Sequence, residues 1–455
     1  MQRRLTTAIA VLAFGLAAAP AALAGDTSGA DDPAQAAPGE LLVGFAPDTS
    51  DEARDRAVAK ASGKRKEKVS RNGGGEASVE LVEVPRGSNA RAIAQLEQDP
   101  AVEYAEPNWV VTKAATSNDP YFTGGSLWGM YGDKTPTTYT GPSNQYGSQA
   151  AEAWARGVTG SGGVYVGIID EGFQTSHPDL NDNVWTNPFD PANGADDDGN
   201  GYVDDVNGWD FFSKNNSVYD GGTSGSADDH GTHVAGTIGG EGGNGAGVAG
   251  VNWDVTLISG KFLGPNGGYT SDAVKAVDYF TDLKVRHGLN LVATNNSWGG
   301  GGYSQALADA ITRGARQNIL FIAAAGNSKA DTDRRTSYPS NYNTTSGAGY
   351  DAVISVAAIA SNGTKPRWSN YGATTVDLGA PGDGIWSTLP YNRYGSYSGT
   401  SMATPHVTGG AALYASTHPG VTAAQTRNAI LSSVLPTSSM AGKTVTGGRL
   451  NVSGF

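Results

Sequence analysis

The 455-residue chain contains no cysteine. No disulfide contributes to its stability, so a large core or bound metal has to serve instead. A long apolar run is also missing. Ala8 to Leu16 is apolar but short and alanine-rich, and Pro20 breaks the stretch beyond it, which argues against a membrane span and leaves an uncleaved anchor as the alternative. With Arg3 and Arg4 before it and Ala22-Leu23-Ala24 after it, this stretch reads as an export signal over residues 1–24. The expected product is secreted and extracellular, with no membrane attachment once the signal is removed. Nor is there a basic stripe. The formal net charge is −13, with acid in excess both before and after residue 118. Without clustered Lys and Arg to release counterions, nucleic acid is excluded as a partner. The acidic surface is read as a source of solubility.

Composition changes along the chain. Residues 25–37 are small and polar without periodicity and read as a linker. Next comes a pattern of strand, helix, strand, helix, strand. Glu40 to Phe45, Val79 to Val84 and Ala101 to Val111 are the strands. Thr49-Ser50-Asp51-Glu52 forms a capping box for a helix ending near Gly63, and Ser88 caps a second helix bearing Ile93 and Leu96. This order suits a small α+β module. From about Asn118, glycine-rich loops separate short apolar runs: Tyr165–Ile169, Val255–Ile258, Leu291–Thr294, Ile319–Ala325 and Ala352–Val356. Near-continuous hydrophobic strands of this kind are buried on both faces, as in a parallel sheet. Ser271 is expected to cap a helix with Val274, Val277, Phe280 and Leu283 on one face, closed by Gly288, and Leu307, Ala310 and Ile311 mark another. The alternation predicts an α/β fold: a doubly wound, mostly parallel sheet with helices on both faces.

Three segments carry residues suited to acyl transfer, which needs a nucleophile, a base, a group orienting the base and donors for the oxyanion. Asp170 ends the apolar run Val164 to Ile169, at the strand edge where open α/β sheets place their sites. His230 precedes Gly231 and small or β-branched residues, the composition of a tightly packed helix start. Ser401 opens a second such segment, with Pro405 in its first turns and Gly409-Gly410 further on. Taken singly, Asp170 reads as a loop cap, His230 as a structural histidine, Ser401 as a helix N-cap and Asn327 as a turn residue. His230 and His233 lack the intervening glutamate of a zinc-protease helix.

The blocks Asp170-Glu171-Gly172, His230 to Thr237 and Gly399 to His406 resemble the three signatures of the subtilisin-like serine proteases, or subtilases. Ala323 to Asn327 resembles the family's oxyanion block, Asn296 to Gly300 its substrate-binding strand, and Gly379-Ala380-Pro381-Gly382 a further family run. The likeness extends from about Asn118 to Asn451. It implies that Ser401 attacks the scissile carbonyl, His230 takes and returns the proton, and Asp170 orients His230. It also implies that Asn327 and the Ser401 backbone N–H bind the oxyanion. Ser297, Trp298, Gly299 and Gly326 would line the substrate strand and pocket. The walls near Ala325-Gly326 and Ser337-Tyr338-Pro339 suggest room for a sizeable apolar side chain. Glu171 departs from the family, which usually has a small hydroxyl there, and puts a second acid beside Asp170.

Asp196, Asp198, Asn200, Tyr202 and Asp204 fall at the first, third, fifth, seventh and ninth places of an EF-hand-type loop, with Gly201 at its turn. The twelfth place is Asn207, so the bidentate ligand is missing or comes from elsewhere, such as Asp205. The loop is expected to hold structural calcium, the alternative being a solvated acidic loop; similar loops occur in many subtilases. Asp119 resembles an aspartate that joins another calcium site in some relatives. Residues 38–117 look like the family's propeptide, implying an intramolecular inhibitor and folding assistant, with a permanent accessory domain as the alternative. Cleavage is expected between Thr112 and Asn118, leaving a catalytic domain over 118–455. The expected function is that of a secreted, self-processing serine endopeptidase acting on polypeptides as a monomer. A processing or transpeptidating protease of narrow specificity, or a silent binding relative, are the alternatives.

Overall fold

The chain divides into two units, Met1–Val111 and Thr112–Phe455. The computed structural model describes residues 36–69, 78–109, 116–134, 141–221 and 227–455. The export signal, residues 25–35 of the linker and residues 112–115 of the expected cleavage region lie outside the described residues.

In the first unit, β1 (Ala36–Phe45), α1 (Asp51–Lys60), β2 (Lys64–Lys68), β3 (Ser78–Glu83), α2 (Asn89–Leu96) and β4 (Val102–Trp109) succeed one another. The strands form an antiparallel sheet in the order β2-β3-β1-β4. Alternate residues Leu41, Val43 and Phe45 of β1 turn inward onto Ala57 and Val58 of α1 and Ala92 and Leu96 of α2. Ser50 caps α1 by accepting the Ala53 N–H. Ser88 does not cap α2: its hydroxyl donates to the Pro85 carbonyl instead, 2.6 Å away. Strand β2 is not evident in the sequence, because Lys-Arg-Lys-Glu-Lys has no apolar residue to reveal a period of two. Its charge suits an edge strand.

The second unit contains α3 (Pro120–Thr123), α4 (Ala150–Ala155), β5 (Gly160–Asp170), β6 (Gly208–Asp210), α5 (Asp229–Gly239), β7 (Asp254–Lys261), α6 (Thr270–His287), β8 (Leu291–Asn296), α7 (Gln305–Arg316), β9 (Leu320–Ala324), α8 (Thr345–Ala348), β10 (Val353–Ile359), β11 (Leu378–Pro381), β12 (Ile385–Leu389), β13 (Arg393–Tyr397), α9 (Thr400–Thr417), α10 (Ala423–Ser432), β14 (Leu435–Pro436) and β15 (Gly448–Arg449). The nine-stranded sheet runs β14-β15-β11-β10-β9-β8-β5-β7-β6. Its pairings are parallel except β14 with β15.

The buried runs read from the sequence are these central strands, and their side chains alternate between two cores. Val166, Ile168, Leu257, Leu320 and Ile322 pack with α5 and α9 on one face. Ile169, Ile258, Phe321 and Ala323 pack with α6 and α7 on the other. Both faces are therefore covered, which is why the strands are mostly apolar, with Asp170, Lys261 and Asn295-Asn296 at their carboxyl ends. Helix α6 starts earlier than expected: Tyr269 holds the N-cap position and Ser271 lies inside. Gly288, at φ 68°, closes it by donating to the Lys284 carbonyl.

Strand order places a topological switch beside β5. The chain leaves β5 toward β7 and β6 on one side, then crosses to β8 on the other. Crevices form at the carboxyl ends of strands at such a point. Asp170 ends β5 and Asn296 ends β8 at this crevice.

Candidate active site

Asp170 is fully buried as the last residue of β5. The chain turns at Gly172 (φ 97°) and meets the start of α5 at Gly231. A Cβ on Gly231 would overlap the Gly172 carbonyl, so the close approach of the two segments depends on that glycine. The result is a hydrogen bond of 2.8 Å between His230 Nδ1 and Asp170 Oδ1. The same carboxylate oxygen accepts the Glu171 N–H at 2.8 Å. Burial alone would lower the pKa of His230. The charge and hydrogen bond of Asp170, with the charges of Glu171 and Asp229, override it and hold the imidazolium above its ordinary range.

A buried lysine fixes the start of α5. Lys261, the last residue of β7, pairs with Asp228 and Asp220 and donates to the Glu171 carbonyl. Asp228 takes the left-handed φ of 62° just before the helix. One ammonium thus ties the turn after Asp170 to the residue preceding the His230 helix. The histidine at the next turn has a different part. His233 is buried, with Nε2 2.8 Å from the Ile385 carbonyl and its ring stacked on Tyr397. Burial pushes its pKa down to about 3. A neutral ring donating to a carbonyl fits a structural histidine.

Ser401 lies in the first turn of α9. Its hydroxyl donates to the Ser297 carbonyl at 3.0 Å, while the Ser297 hydroxyl donates to the Ser401 carbonyl at 2.8 Å. Ser297 in turn accepts from Asn295, whose own oxygen accepts from Thr408 of α9. Ser401 and His230 line one pocket of about 350 Å³ with Asn327, Ser396, Tyr397, Ser398, Gly399 and Met402. The structure therefore brings the three expected residues together, with His230 bonded to Asp170 and Ser401 lining the same pocket as His230. The Ser401 hydroxyl is engaged by the Ser297 carbonyl, and catalytic hydrogen bonds often form only once substrate is bound.

Asn327 has a defined orientation. Its Oδ1 accepts both the backbone N–H and the hydroxyl of Thr400, each at 2.9 Å. Two donors on the oxygen turn the amide nitrogen the other way, toward the pocket shared with Ser401. Thr400 and Lys261 position the candidate residues, and the sequence alone did not single them out. A lysine three residues beyond the apolar run Val255–Ile258 was the available signal for the second.

A larger cavity of about 420 Å³ adjoins Ser401. Ser297, Trp298, Gly299 and Gly326 all line it, as expected. Trp298 is held by edge contacts with Phe262 and Phe321. Gly326 has a φ of 103°, and a side chain there would strike the Asn370 amide. The lining is more polar than the sequence suggested, since Ser328, Arg335 and Thr336 join it.

The acidic loop is brought together only in part. Asp196 and Asp198 turn onto the Asn200 N–H, and Asp196 also accepts from Gly201. Asn200 Oδ1 accepts the Tyr202 N–H. Asp204 faces back to the Asn193 and Gly194 amides, whereas buried Asp205 reaches the Asn200 side chain. Among the described residues, no group of three or more His, Cys, Asp or Glu is arranged to hold a metal. The oxygen-rich donor set fits a hard cation, and backbone amides engage those oxygens here. Asp119, also buried, accepts from Gly243 and Gly245.

No helix among the described residues is long and apolar enough to cross a membrane. Residues 161–452 match the Subtilase family, and residues 23–108 match the fervidolysin N-terminal prodomain. The thermophilic serine proteinase of Bacillus sp. (strain AK1) is 32% identical over 331 residues, covering 72% of this chain and 67% of that protein. Subtilisin amylosacchariticus of Bacillus subtilis subsp. amylosacchariticus is 32% identical over 374 residues, covering 81% and 80%. A solved protease of Pseudoalteromonas arctica PAMC 21717 superposes with a TM-score of 0.58 at 27% identity, over 75% of this chain and 98% of its own. The matched length, the parallel sheet and the N-terminal antiparallel module together make this chain a member of the subtilase family, a serine-type endopeptidase with an N-terminal propeptide.

Proposed function

We propose that the protein is a secreted, self-processing endopeptidase whose triad is Asp170, His230 and Ser401. The supporting observation is the convergence at the β5–β8 crevice: the His230–Asp170 bond of 2.8 Å and a pocket shared by His230, Ser401 and Asn327. Ser401 Oγ bonds to the scissile carbonyl carbon while its proton passes to His230 Nε2. Asp170 holds the ring proton on Nδ1 and stabilises the imidazolium. The oxyanion receives the Asn327 amide and the Ser401 N–H. As the C–N bond breaks, His230 gives the proton to the leaving amine. Water then repeats the sequence on the acyl-enzyme and restores Ser401.

Residues 1–24 act as the export signal, residues 38–117 as a propeptide inhibitor, and residues 118–455 as the mature, monomeric enzyme. The test is labelling with a fluorophosphonate probe. The matured wild type takes up the label and Ser401→Ala does not; an unlabelled wild type overturns the reading.

Ser297, Trp298 and Gly299 pair with the extended substrate, and the adjoining cavity receives the side chain before the cleaved bond. Arg335 is its charged lining residue, and no carboxylate is among the described residues lining it. A basic substrate side chain is therefore disfavoured there. Arg335→Ala is expected to raise kcat/KM on a P1-Lys peptide by roughly 2–5-fold, the scale of an exposed charge pair, with P1-Gln unaffected. An equal change on both peptides counts against the assignment.

Calcium is proposed for the 196–205 loop, held by Asp196, Asp198, Asn200 and the Tyr202 carbonyl, with Asp204 or Asp205 completing the set. Bound calcium would neutralise carboxylates that otherwise crowd one short loop. In calorimetry, excess chelator should lower Tm by about 5–10 °C, the shift set by a ligand well above its Kd in a domain of this size. An unchanged Tm removes calcium from the loop.

A further inference from the structure

Glu171 follows Asp170 directly in the chain, and its side chain does not point away from the site. Its Oε1 accepts the backbone N–H of His230 at 2.7 Å. Asp229 Oδ1 shares that N–H at 3.0 Å, and the other Asp229 oxygen accepts the Tyr397 hydroxyl at 2.6 Å. With Asp170 on the ring nitrogen, three carboxylates surround a single histidine. We propose that Glu171 is a positioning residue for His230, fixing the helix start that carries the imidazole and adding a second negative charge in support of the imidazolium. This rests on His230 being the general base.

The charged neighbours can be named from each packed element. On β5 there is Asp170. On α5 there are Asp229 and His230, preceded by Asp228. On β7 there is Lys261, on β13 Tyr397 and Arg393, and one turn along α5 the buried His233. Lys261 contacts Glu171 only through the backbone carbonyl, and its ammonium is shared between Asp228 and Asp220. Tyr397 is engaged by Asp229. The Glu171 carboxylate is therefore engaged by the His230 N–H, with the Lys261 ammonium committed to Asp228 and Asp220. Burial, reinforced by the Asp170 charge, holds the Glu171 carboxyl above its ordinary range.

Rising pH ionises Glu171, and the new charge makes His230 release its proton at higher pH. The acid limb of kcat/KM, which reports deprotonation of the free enzyme's base, is thus displaced upward. Glu171→Gln keeps an acceptor for the His230 N–H and removes the charge. It should move the acid limb down by roughly 0.5–1 pH unit, the effect of a nearby carboxylate discounted for screening, while the high-pH plateau stays within about 3-fold. Glu171→Ala removes the acceptor too and should lower the plateau kcat by about 10-fold with little change in KM, the scale of one lost charge-assisted hydrogen bond. Glu171→Asp should restore the limb in part.

An acid limb that stays within about 0.2 unit in Glu171→Gln overturns the proposal. So does a Glu171→Ala plateau equal to wild type. Ser401→Ala assayed in parallel separates the two levels: if it hydrolyses peptides, the triad reading has failed, whereas an inert Ser401→Ala with an unmoved limb refutes the Glu171 role alone.

Discussion

Ser401→Ala in the full-length chain is expected to lower peptide turnover by about 10⁶-fold, leaving only what the oxyanion donors and substrate binding provide. Maturation should stop with it. If the enzyme cuts its own propeptide, purified Ser401→Ala stays at full length after export, and added wild type trims it between Thr112 and Asn118. Mass spectrometry of the two N-termini reads this directly. A variant that matures unaided would show that another protease makes the cut. Folding is not expected to suffer. The Ser401 side chain contributes one donated hydrogen bond, to the Ser297 carbonyl, and the reverse bond from Ser297 reaches the Ser401 backbone, which alanine retains.

Asp170→Asn is the second large effect, about 10⁴-fold in kcat. Asp170 Oδ1 accepts from both the Glu171 N–H and His230 Nδ1. Asparagine of the same shape can keep both bonds on its oxygen, with its amide nitrogen in place of the unpartnered Oδ2. What it cannot supply is the negative charge that supports the imidazolium as His230 takes the Ser401 proton. Thermal melting separates this from misfolding. Removing a fully buried charge relieves desolvation, so Tm should be unchanged or higher while kcat collapses. A fall in both would point to damage in the fold.

The central strands were legible because they are buried on both faces, and continuous apolar runs such as Ile319–Ala325 have few other uses. The same logic hid β2, where every residue is charged. Helix caps were legible only when the hydroxyl accepted from the helix's own first turn: Ser50 did, whereas Ser88 donates backward to Pro85. At the site, the three blocks marked the candidate residues, but not the contacts that position them. Thr400 on Asn327, Lys261 on Asp228 and Glu171 on His230 span 33 to 73 positions in sequence and meet only through the sheet order. The acidic loop shows a further limit. Spacing put Asp204 at the ninth place, but it could not show that the residue takes a left-handed φ of 56° and bonds to the Asn193 and Gly194 amides.

The paired bonds between Ser297 and Ser401 have a mechanical consequence. The edge proposed to receive the substrate backbone and the residue proposed to attack it are fastened to each other, not each to the scaffold separately. If that edge shifts, the nucleophile shifts with it, and a bound peptide travels in the same frame. Disturbance of the fastening, as in Ser297→Ala, would therefore register as slower bond breaking and only weakly as poorer binding, because gripping the chain and aiming the blow are one rigid act.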